Sequence, residues 1–319
     1  MARTVKYIGL GEEVTELTEA SSKNVYLDVL SFHVGQGQVW NNEGGVANSY
    51  ITDKNCVGED ASPGFIFPVG PESGIGWLFK WFFGDPTSTQ KETTIAYEHE
   101  YEPDDDLKTF TTFAGSEDLT EEPYPGQSGD MLTLSCKRFG ILMGDIAGYG
   151  LDKAADNAMA SPSFSTLKSW RFRDMVVKID TVAKSSKVAS VMMAFNQGLS
   201  KKGHTAGSIE LQNRAKHTTR LMGGAIVLSE YDSALRAAFN DKTAVALIFE
   251  WTGATIVGAY TYKLTITFPS VYITKYNHPV IGRTKEIHTF TFGAKYDSTE
   301  GAELNIKLIN TDTDYPDAS

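Results

Sequence analysis

The clearest pattern of apolar and polar positions predicts a short amphipathic helix over Pro71–Gly84. Trp77 and Trp81, four residues apart, widen its apolar stripe. A proline followed by a glutamate favours a helix start, and a glycine favours its end. So short a helix needs other structure to cover its apolar face. That face repeats at helical spacing and consists of Ile75, Leu78, Phe79 and Phe82.

A second stretch, Ser229–Asn240, repeats this pattern. Ser229 is the expected N-cap, and Asp232 takes the capping-box position. The two helices are offset by 156 residues, counted from Ile75 to Tyr231, which is close to half of the 319-residue chain. This offset favours a tandem duplication; the alternative is one mixed sheet with two unrelated helices. The second apolar face consists of Tyr231, Ala234, Leu235 and Ala238.

Most of the remaining chain has the alternating, β-branched and aromatic character of strands. We predict a mainly β fold of two tandem β-sandwich or open-barrel domains, each with one short flanking α-helix. The small-residue stretch Asp152–Thr166 is the expected linker, which gives domains 1–160 and 161–319. The main predicted strands are Val25–Val34, Thr93–Tyr101, Leu107–Phe113, Met131–Cys136, Trp170–Thr181, Lys187–Phe195, Ala225–Leu228, Ala244–Trp251, Ile256–Phe268, Val271–Tyr276, Glu286–Phe292 and Glu303–Leu308.

A second internal similarity bears on the duplication. The sequence L-T-L at residues 132–134 resembles L-T-I at residues 264–266. Its offset is 132 residues rather than 156, so a duplication requires an insertion in the first copy. The long acidic segment Tyr101–Asp130 is the candidate for that insertion.

Two stretches predict long loops. Gly35–Gly64 is rich in Gly, Asn and Asp and holds Trp40 and Tyr50. Loops of that length usually serve a function or an interaction. The Gly- and Lys-bearing stretch Gly198–Gly207 is the second predicted loop. Shorter turns are predicted at T-G-A-T-I and at D-S-T-E-G.

Charge and cysteine content narrow the function classes. A formal net charge of −11 argues against a basic surface that grips nucleic acid. Cys56 and Cys136 show no zinc-ligand spacing, which favours a reduced compartment and leaves one disulfide open. We expect no signal peptide and no membrane span, and synthesis in a cytoplasm, with release by lysis as an option.

The sequence carries little that indicates catalysis. Gly198–Thr205 has the glycine spacing of a phosphate loop, but His204 replaces the lysine that such a loop needs. Ser165–Lys168 matches S-x-x-K without its partner motifs. The six histidines are scattered, and no two share a metal-binding helical spacing. We therefore expect no enzyme, cofactor or metal; a carboxylate-dependent hydrolase is the third-ranked alternative.

One acidic cluster stands out. Between Glu92 and Glu122 there are eleven acidic residues and one base, Lys108. Strand alternation puts Glu98 and Glu100 on one face, opposite a face of tyrosine and histidine side chains. The cluster is either a solvated acidic surface or an anionic wall that lets a polyanion pass without sticking.

Together these patterns resemble the tail tube proteins of long-tailed bacteriophages. The resemblance rests on G-P-E-S-G-I-G-W-L-F-K-W-F-F-G-D (residues 70–85) and L-S-E-Y-D-S-A-L-R-A-A-F-N-D (residues 228–241), each followed by an alternating strand. The late strands Thr265–Phe268 and Val271–Tyr276, then I-H-T-F-T-F-G-A (residues 287–294), add to it.

The resemblance implies a structural virion protein of the phage tail. Subunits would join edge to edge into a ring, and rings would stack through long loops into a hollow tube. A duplicated chain would need three copies per ring, a pseudo-hexamer. Other tail proteins would be partners, and genomic DNA would pass without specific binding. The alternative is another virion or surface β-protein, such as a capsid decoration or a carbohydrate-binding module.

The resemblance also suggests roles for individual residues. The candidates for the lumen lining are acidic: Glu98, Glu100, Asp104, Asp105 and Asp106. The candidates for packing or for a subunit interface are Trp77, Phe79, Trp81, Tyr231, Leu235 and Phe239. Contacts between rings would come from the loop Gly35–Gly64 and from a lysine-bearing counterpart, Thr181–Gly207. The candidate residues for these contacts are Trp40, Asn41, Tyr50, Lys201 and Lys202.

Overall fold

The computed structural model describes residues 5–43, 53–116, 120–200, 203, 208, 211–278 and 287–318. These residues form twenty β-strands, two α-helices and two short 3₁₀ helices. The prediction of a mainly β chain with two short helices is confirmed.

The elements of the first half are β1 (Val5–Glu12), β2 (Val25–Leu27), β3 (Ser31–Glu43), β4 (Asp53–Pro68), α1 (Ile75–Phe83), β5 (Thr87–Gln90), β6 (Tyr97–Tyr101), β7 (Phe110–Ser116), β8 (Thr120–Lys137), β9 (Met143–Tyr149) and β10 (Asn157–Ala158). The second half contains the 3₁₀ helices Phe172–Asp174 and Ser185–Lys187. Its other elements are β11 (Met175–Ile179), β12 (Val182–Ala183), β13 (Val188–Asn196), β14 (Leu199–Ser200), β15 (Lys216–His217), β16 (Leu221–Leu228), α2 (Ser233–Asp241), β17 (Val245–Val257), β18 (Tyr260–Asn277), β19 (His288–Ala294) and β20 (Asn305–Asn310).

Eight strands form one continuous antiparallel path, which we call the main sheet. Its order is β3, β4, β9, β8, β13, β16, β19 and β18. One face of this sheet is apolar and buried, and α1 lies against it. Phe83 of α1, for example, meets Phe195 of β13 edge to face, with ring centroids 5.5 Å apart. Other buried side chains on that face are Phe65, Phe67, Leu132, Leu134, Met193, Ile226 and Phe290.

The same pairing scheme occurs in both halves of the chain. The pairs β1–β7, β3–β4, β4–β9, β7–β8 and β8–β9 match β11–β17, β13–β16, β16–β19, β17–β18 and β18–β19. Helix α1 follows β4 as α2 follows β16. This recurrence is the arrangement that a tandem duplication would produce.

The two halves are joined by hydrogen-bonded strands and by a shared core. Strand β8 pairs with β13, where Leu134 lies opposite Met193, and β6 pairs with β20, where His99 lies opposite Leu308. One hydrophobic cluster contains buried side chains from both halves. The domain boundary at residues 160/161 stays a prediction.

The segment of the first half that has no counterpart in the second half lies earlier in the chain than we predicted. Residues 84–109 separate α1 from β7 and contain β5 and β6, whereas residues 242–244 alone separate α2 from β17. The proposed insertion Tyr101–Asp130 is therefore wrong, because it includes β7 and part of β8, which belong to the repeated scheme. The predicted strand Thr93–Tyr101 contains β6, which lies in this unmatched segment, whereas the strand that follows α2 is β17, the counterpart of β7.

Both helices begin later than predicted. Before α1, the Ser73 hydroxyl bonds the backbone N–H and C=O of Gly70, and Gly74 takes a left-handed φ of 81°, so this stretch is a turn. Before α2, the Asp232 carboxylate accepts the N–H groups of Ala234 and Leu235 and is the true N-cap. The predicted cap, Ser229, instead donates its hydroxyl to the Lys187 carbonyl.

Two loop predictions and one turn prediction are wrong, and one turn prediction is confirmed. The stretch Thr181–Gly207 is not a loop, because β13 lies within it. The described residues of the stretch Gly35–Gly64, 35–43 and 53–64, are not a loop but belong to the antiparallel strands β3 and β4. The T-G-A-T-I sequence lies inside β17, and the chain reverses after it, at Gly258 with φ 54°. At D-S-T-E-G, the Asp297 carboxylate caps a turn by accepting the N–H groups of Thr299 and Glu300.

Candidate functional site

Within the described residues the main sheet has two free edges. At one end β3 pairs with β4 alone. At the other end the last part of β18, Tyr272–Asn277, pairs with β19 alone. A free edge presents backbone donors and acceptors and is a template for another strand. Because every step along the path reverses direction, the two edge strands run antiparallel to each other.

Inside the chain, two strand edges of the same kind are already paired with each other. Strand β8 pairs antiparallel with β13 over seven residue pairs, from Ser190–Lys137 to Asn196–Met131. In the repeated scheme β8 matches β18, and β13 matches β3. The two free edges are therefore the counterparts of a junction that the chain forms with itself.

The face of the main sheet turned away from the core is formed mostly by small and polar side chains. One row across the sheet runs through Asp145, Thr133, Ala194 and Gly223, which are successive cross-strand neighbours. Other residues on this face are Ser31, His33, Ser135, Ser190, Ala225, Thr289 and Thr291. Charged side chains on these rows are few, and of both signs: Asp145, Lys137 and Lys275.

The hairpin β3–β4 extends beyond the rest of the sheet. Strand β4 pairs with β9 over Gly64–Pro68, and a single further bridge joins Ala61 to Gly150. Residues 36–43 and 53–60, which we call the arm, form strand pairs only with each other among the described residues. Trp40 lies on the arm and is 50% exposed. A two-stranded ribbon by itself is only marginally stable.

The structure describes only part of the set suggested for contacts between rings. Asn41 lies on β3 within the arm. Tyr50, Lys201 and Lys202 lie outside the described residues.

Glu98 and Glu100 project from β6, which lies outside the main sheet. Their predicted alternation is confirmed, because His99 and Tyr101 point into the core. Both carboxylates are paired: Lys91 lies 2.8 Å from Glu98, and Lys307 lies 2.8 Å from Glu100. Partial burial opposes the charge of Glu100, but hydrogen bonds from Lys307 and Asn305 outweigh it and lower the pKa of this carboxyl.

The acidic run Asp104–Asp106 forms a turn that arginines from the second half hold. The Asp104 carboxylate accepts the next two backbone N–H groups. Arg220 lies 3.1 Å from Asp105, and Arg214 pairs with Asp106. Much of the acidic charge expected to be free is therefore balanced by basic residues distant in sequence.

Most of the helix candidates are buried within the chain itself. Phe79, Trp81 and Leu235 are fully buried, and the Trp81 indole donates to the Gln127 carbonyl at 2.9 Å. Phe239 packs against the apolar cluster while partly exposed, and Tyr231 is 52% exposed, outside α2. Trp77 is partly buried, with its ring against Tyr315.

Sequence reasoning missed a buried cation on α1. Lys80 is 3% exposed, and its ammonium lies 2.8 Å from Glu12, 3.0 Å from Asp85 and 2.9 Å from Asp317. Burial alone would lower the pKa of Lys80, but the carboxylate hydrogen bonds outweigh it and raise that pKa. The available signal was a single lysine inside an otherwise apolar helix.

Lys80 helps to hold the end of the described chain across α1. Its ammonium also donates to the Tyr315 carbonyl at 3.0 Å. The Tyr315 ring is buried against Trp77 and His99 and lies over Gly76, where any side chain would collide with it. Residues 311–318, which we call the strap, thus cover the outer side of α1.

No chemical centre is evident in the described part of the chain. It holds no group of three or more His, Cys, Asp or Glu side chains arranged for a metal. Cys136 is a buried free thiol, and burial raises its pKa to about 11. Neither described helix has the length and apolarity needed to cross a membrane.

Comparison with protein families gives one match, which covers nearly the whole chain. A family model described as phage tail tube protein matches residues 5–294. A comparison with curated proteins found no match.

Proposed function

The chain belongs to the phage tail tube protein family, and we propose that it is the major tail tube subunit, whose copies form stacked rings around a channel for DNA. The family is structural and non-enzymatic. The observation that carries the proposal is the main sheet, which ends in two free, antiparallel edges.

Ring closure follows from these edges. The segment Tyr272–Asn277 of one copy pairs with β3 of the next, as β8 pairs with β13 inside the chain. The two edge strands run in the directions that this pairing requires, because every strand in the closed ring is then antiparallel to both of its neighbours. Closure also removes the exposed edges that would otherwise invite aggregation.

Three copies per ring fit the internal repeat. Each chain supplies two similar sets of four strands, so three chains make a ring with approximate six-fold symmetry. With strands about 4.8 Å apart and tilted by about 40°, a barrel of eight strands from each of three chains has a backbone diameter of roughly 40–50 Å. A bore of that size accommodates a nucleic-acid duplex.

We assign the lumen to the small and polar face of the main sheet. The apolar face packs against α1 and the core, so the other face is the one available to a channel. Its few charges, of both signs, offer no continuous basic track for phosphates to bind. Strand β6 is not one of the eight strands, so this lumen does not need Glu98 or Glu100; a lumen lined by those residues is the competing prediction.

Stacking of rings is assigned to the arm. It projects past the other strands of its own sheet and presents an exposed tryptophan, Trp40. Contact with a neighbouring ring would stabilise a ribbon that has little support within its own chain. Other tail proteins would meet the same surfaces at the two ends of the tube.

Electron microscopy of the purified protein tests the proposal. We expect hollow rings or tubes, and native mass spectrometry should give a ring mass of three chains. A protein that stays monomeric at high concentration and across a range of salt would contradict the tube. Rings of six chains would contradict the trimer and keep the tube.

A proline on the free edge of β3 tests ring closure. Ala61 exchanges both backbone hydrogen bonds with Gly150, so Pro63, two residues on, also directs its nitrogen away from β3. Val34 lies opposite Pro63 and therefore directs its N–H to the free edge, so Val34→Pro removes no hydrogen bond within the hairpin. We expect at least a ten-fold loss of rings, while the variant stays folded at the assay temperature although Val34 also packs partly against the apolar cluster. Thr89→Pro on β5, an edge strand outside the main sheet, is the control and should leave rings intact. Normal rings from Val34→Pro would rule out closure through β3.

A further inference from the structure

Phe139 occupies an unfavourable position in the turn between β8 and β9. Its side chain is 98% exposed, and its backbone adopts a left-handed φ of 65°. The Gly140 N–H donates to the Lys137 carbonyl at 2.8 Å, so Phe139 is the third residue of a tight turn, a position that favours Gly or Asn. A bulky residue held in this conformation and exposed to solvent points to a function.

The turn lies at the end of the main sheet opposite the arm. Ser31 pairs with Ile66 at the base of the hairpin, and Pro68 next to that base pairs with Met143, the first residue of β9. Strand β9 begins just after the turn, so Phe139 marks the base end of the sheet and the arm marks the other end.

The two ends are complementary in charge and in apolar character. The turn sequence K-R-F-G-I, residues 137–141, has two basic residues and no acidic one, and Ile141 adds a second exposed apolar side chain. The adjoining stretch 166–174 has three basic residues and one acidic residue, and it is tied to the turn by the backbone bond from Phe172 to Gly140. The arm has four acidic residues and one lysine, with Trp40 exposed between them.

We propose that Phe139 is a docking residue for a second copy of this chain in the adjacent ring. Its ring packs on the arm of that copy beside Trp40, and the basic residues of the turn meet the carboxylates of the arm. This inference rests on the proposed function, since it requires rings that stack head to tail. The inference places a contact between stacked rings at the β8–β9 turn, and a single ring can form without this contact.

Phe139→Asn tests the inference, because asparagine tolerates the left-handed conformation while removing the aromatic ring. We expect rings of unchanged mass, an equal or higher melting temperature, and tubes at least ten times shorter by electron microscopy. Phe139→Trp keeps an aromatic ring and should keep long tubes. Ile95→Asn, at another turn residue that is 62% exposed, is the control and should also keep them.

Each remaining outcome has a definite meaning. Long tubes from Phe139→Asn would overturn the docking role. Loss of rings together with tubes would assign Phe139 to ring closure and would also overturn it. Absence of rings with the unaltered chain would contradict the proposed function, and this inference with it.

Discussion

The two α-helices occupy the same place in the repeated scheme but differ sharply in burial. In α1, eight of nine residues are buried, including both a tryptophan and a lysine. In α2, only Leu235 and Ala238 are buried. The difference lies in what covers each helix, because both follow the second strand of a hairpin and precede a strand of the core.

Two segments cover α1 and have no described counterpart over α2. Residues 84–109 follow α1, and Tyr101 within them donates its hydroxyl to the Gly76 carbonyl. The strap covers the same helix through Tyr315 and the ion pairs of Lys80. One scaffold can therefore carry either a core helix or a surface helix, depending on the segments added to it. Removing side chains from each helix measures that difference.

The largest effect is expected from Trp81→Ala on α1. Trp81 is fully buried, packs against Phe82 and Phe110, and donates one hydrogen bond. Its loss should reduce the free energy of unfolding by about 3–5 kcal/mol. Phe239→Ala on α2 is the matched control and should cost about 1–2 kcal/mol, because this ring is only partly buried. Equal losses in chemical denaturation would remove the distinction between the two helices.

Lys80→Met should give the next largest effect. Methionine matches the shape of lysine but leaves Glu12, which is 3% exposed, without its closest cation. We expect a loss of about 2–3 kcal/mol, since the buried Glu12 then has only Lys108, 3.0 Å away and 40% exposed, to balance its charge. The double variant Lys80→Met, Glu12→Leu should recover part of this loss. A single variant as stable as the unaltered chain would show that the cluster contributes nothing.

Tyr315→Phe isolates the polar part of the strap. The Tyr315 hydroxyl donates to Asp312 at 2.8 Å and accepts from Asn310 at 2.8 Å, while the ring fills the space over Gly76. Removing the hydroxyl should cost about 1–2 kcal/mol and leave the packing intact. Thermal unfolding checks this, and a more stable variant would contradict it. Tyr296→Phe, on a ring that is 60% exposed, is the control and should change nothing measurable.

Sequence patterns correctly predicted the features that depend on interactions between residues close in sequence. The apolar spacing located α1, Gly84 ends it with a left-handed φ of 99°, and alternation oriented Glu98 and His99 correctly. The helix starts were missed because Ser73 bonds Gly70 in a turn that precedes α1, and because Ser229 bonds Lys187 rather than capping α2.

Pairing between distant segments could not be predicted in the same way. The arm has the Gly, Asn and Asp content of a loop, and only its partner strand makes it a hairpin. Nothing near Lys80 in the sequence indicates Asp317, which lies more than two hundred residues away. The free edges of the main sheet likewise depend on which strands pair, and periodicity does not contain that information.

Asp317→Asn should give the smallest effect and a distinct pH dependence. Hydrogen bonds from Lys108 and Lys80 lower the pKa of Asp317 to about 2. A carboxyl whose pKa is lower in the folded state stabilises the fold above its unfolded pKa of about 4, and that contribution disappears as the pH falls towards 2. Its side chain is 57% exposed, so solvent screening limits the loss to below about 1 kcal/mol. Denaturation curves should therefore separate the variant from the unaltered chain at pH 6 and converge near pH 2. A constant gap across that range would assign the effect of Asp317 to packing of the strap rather than to its charge.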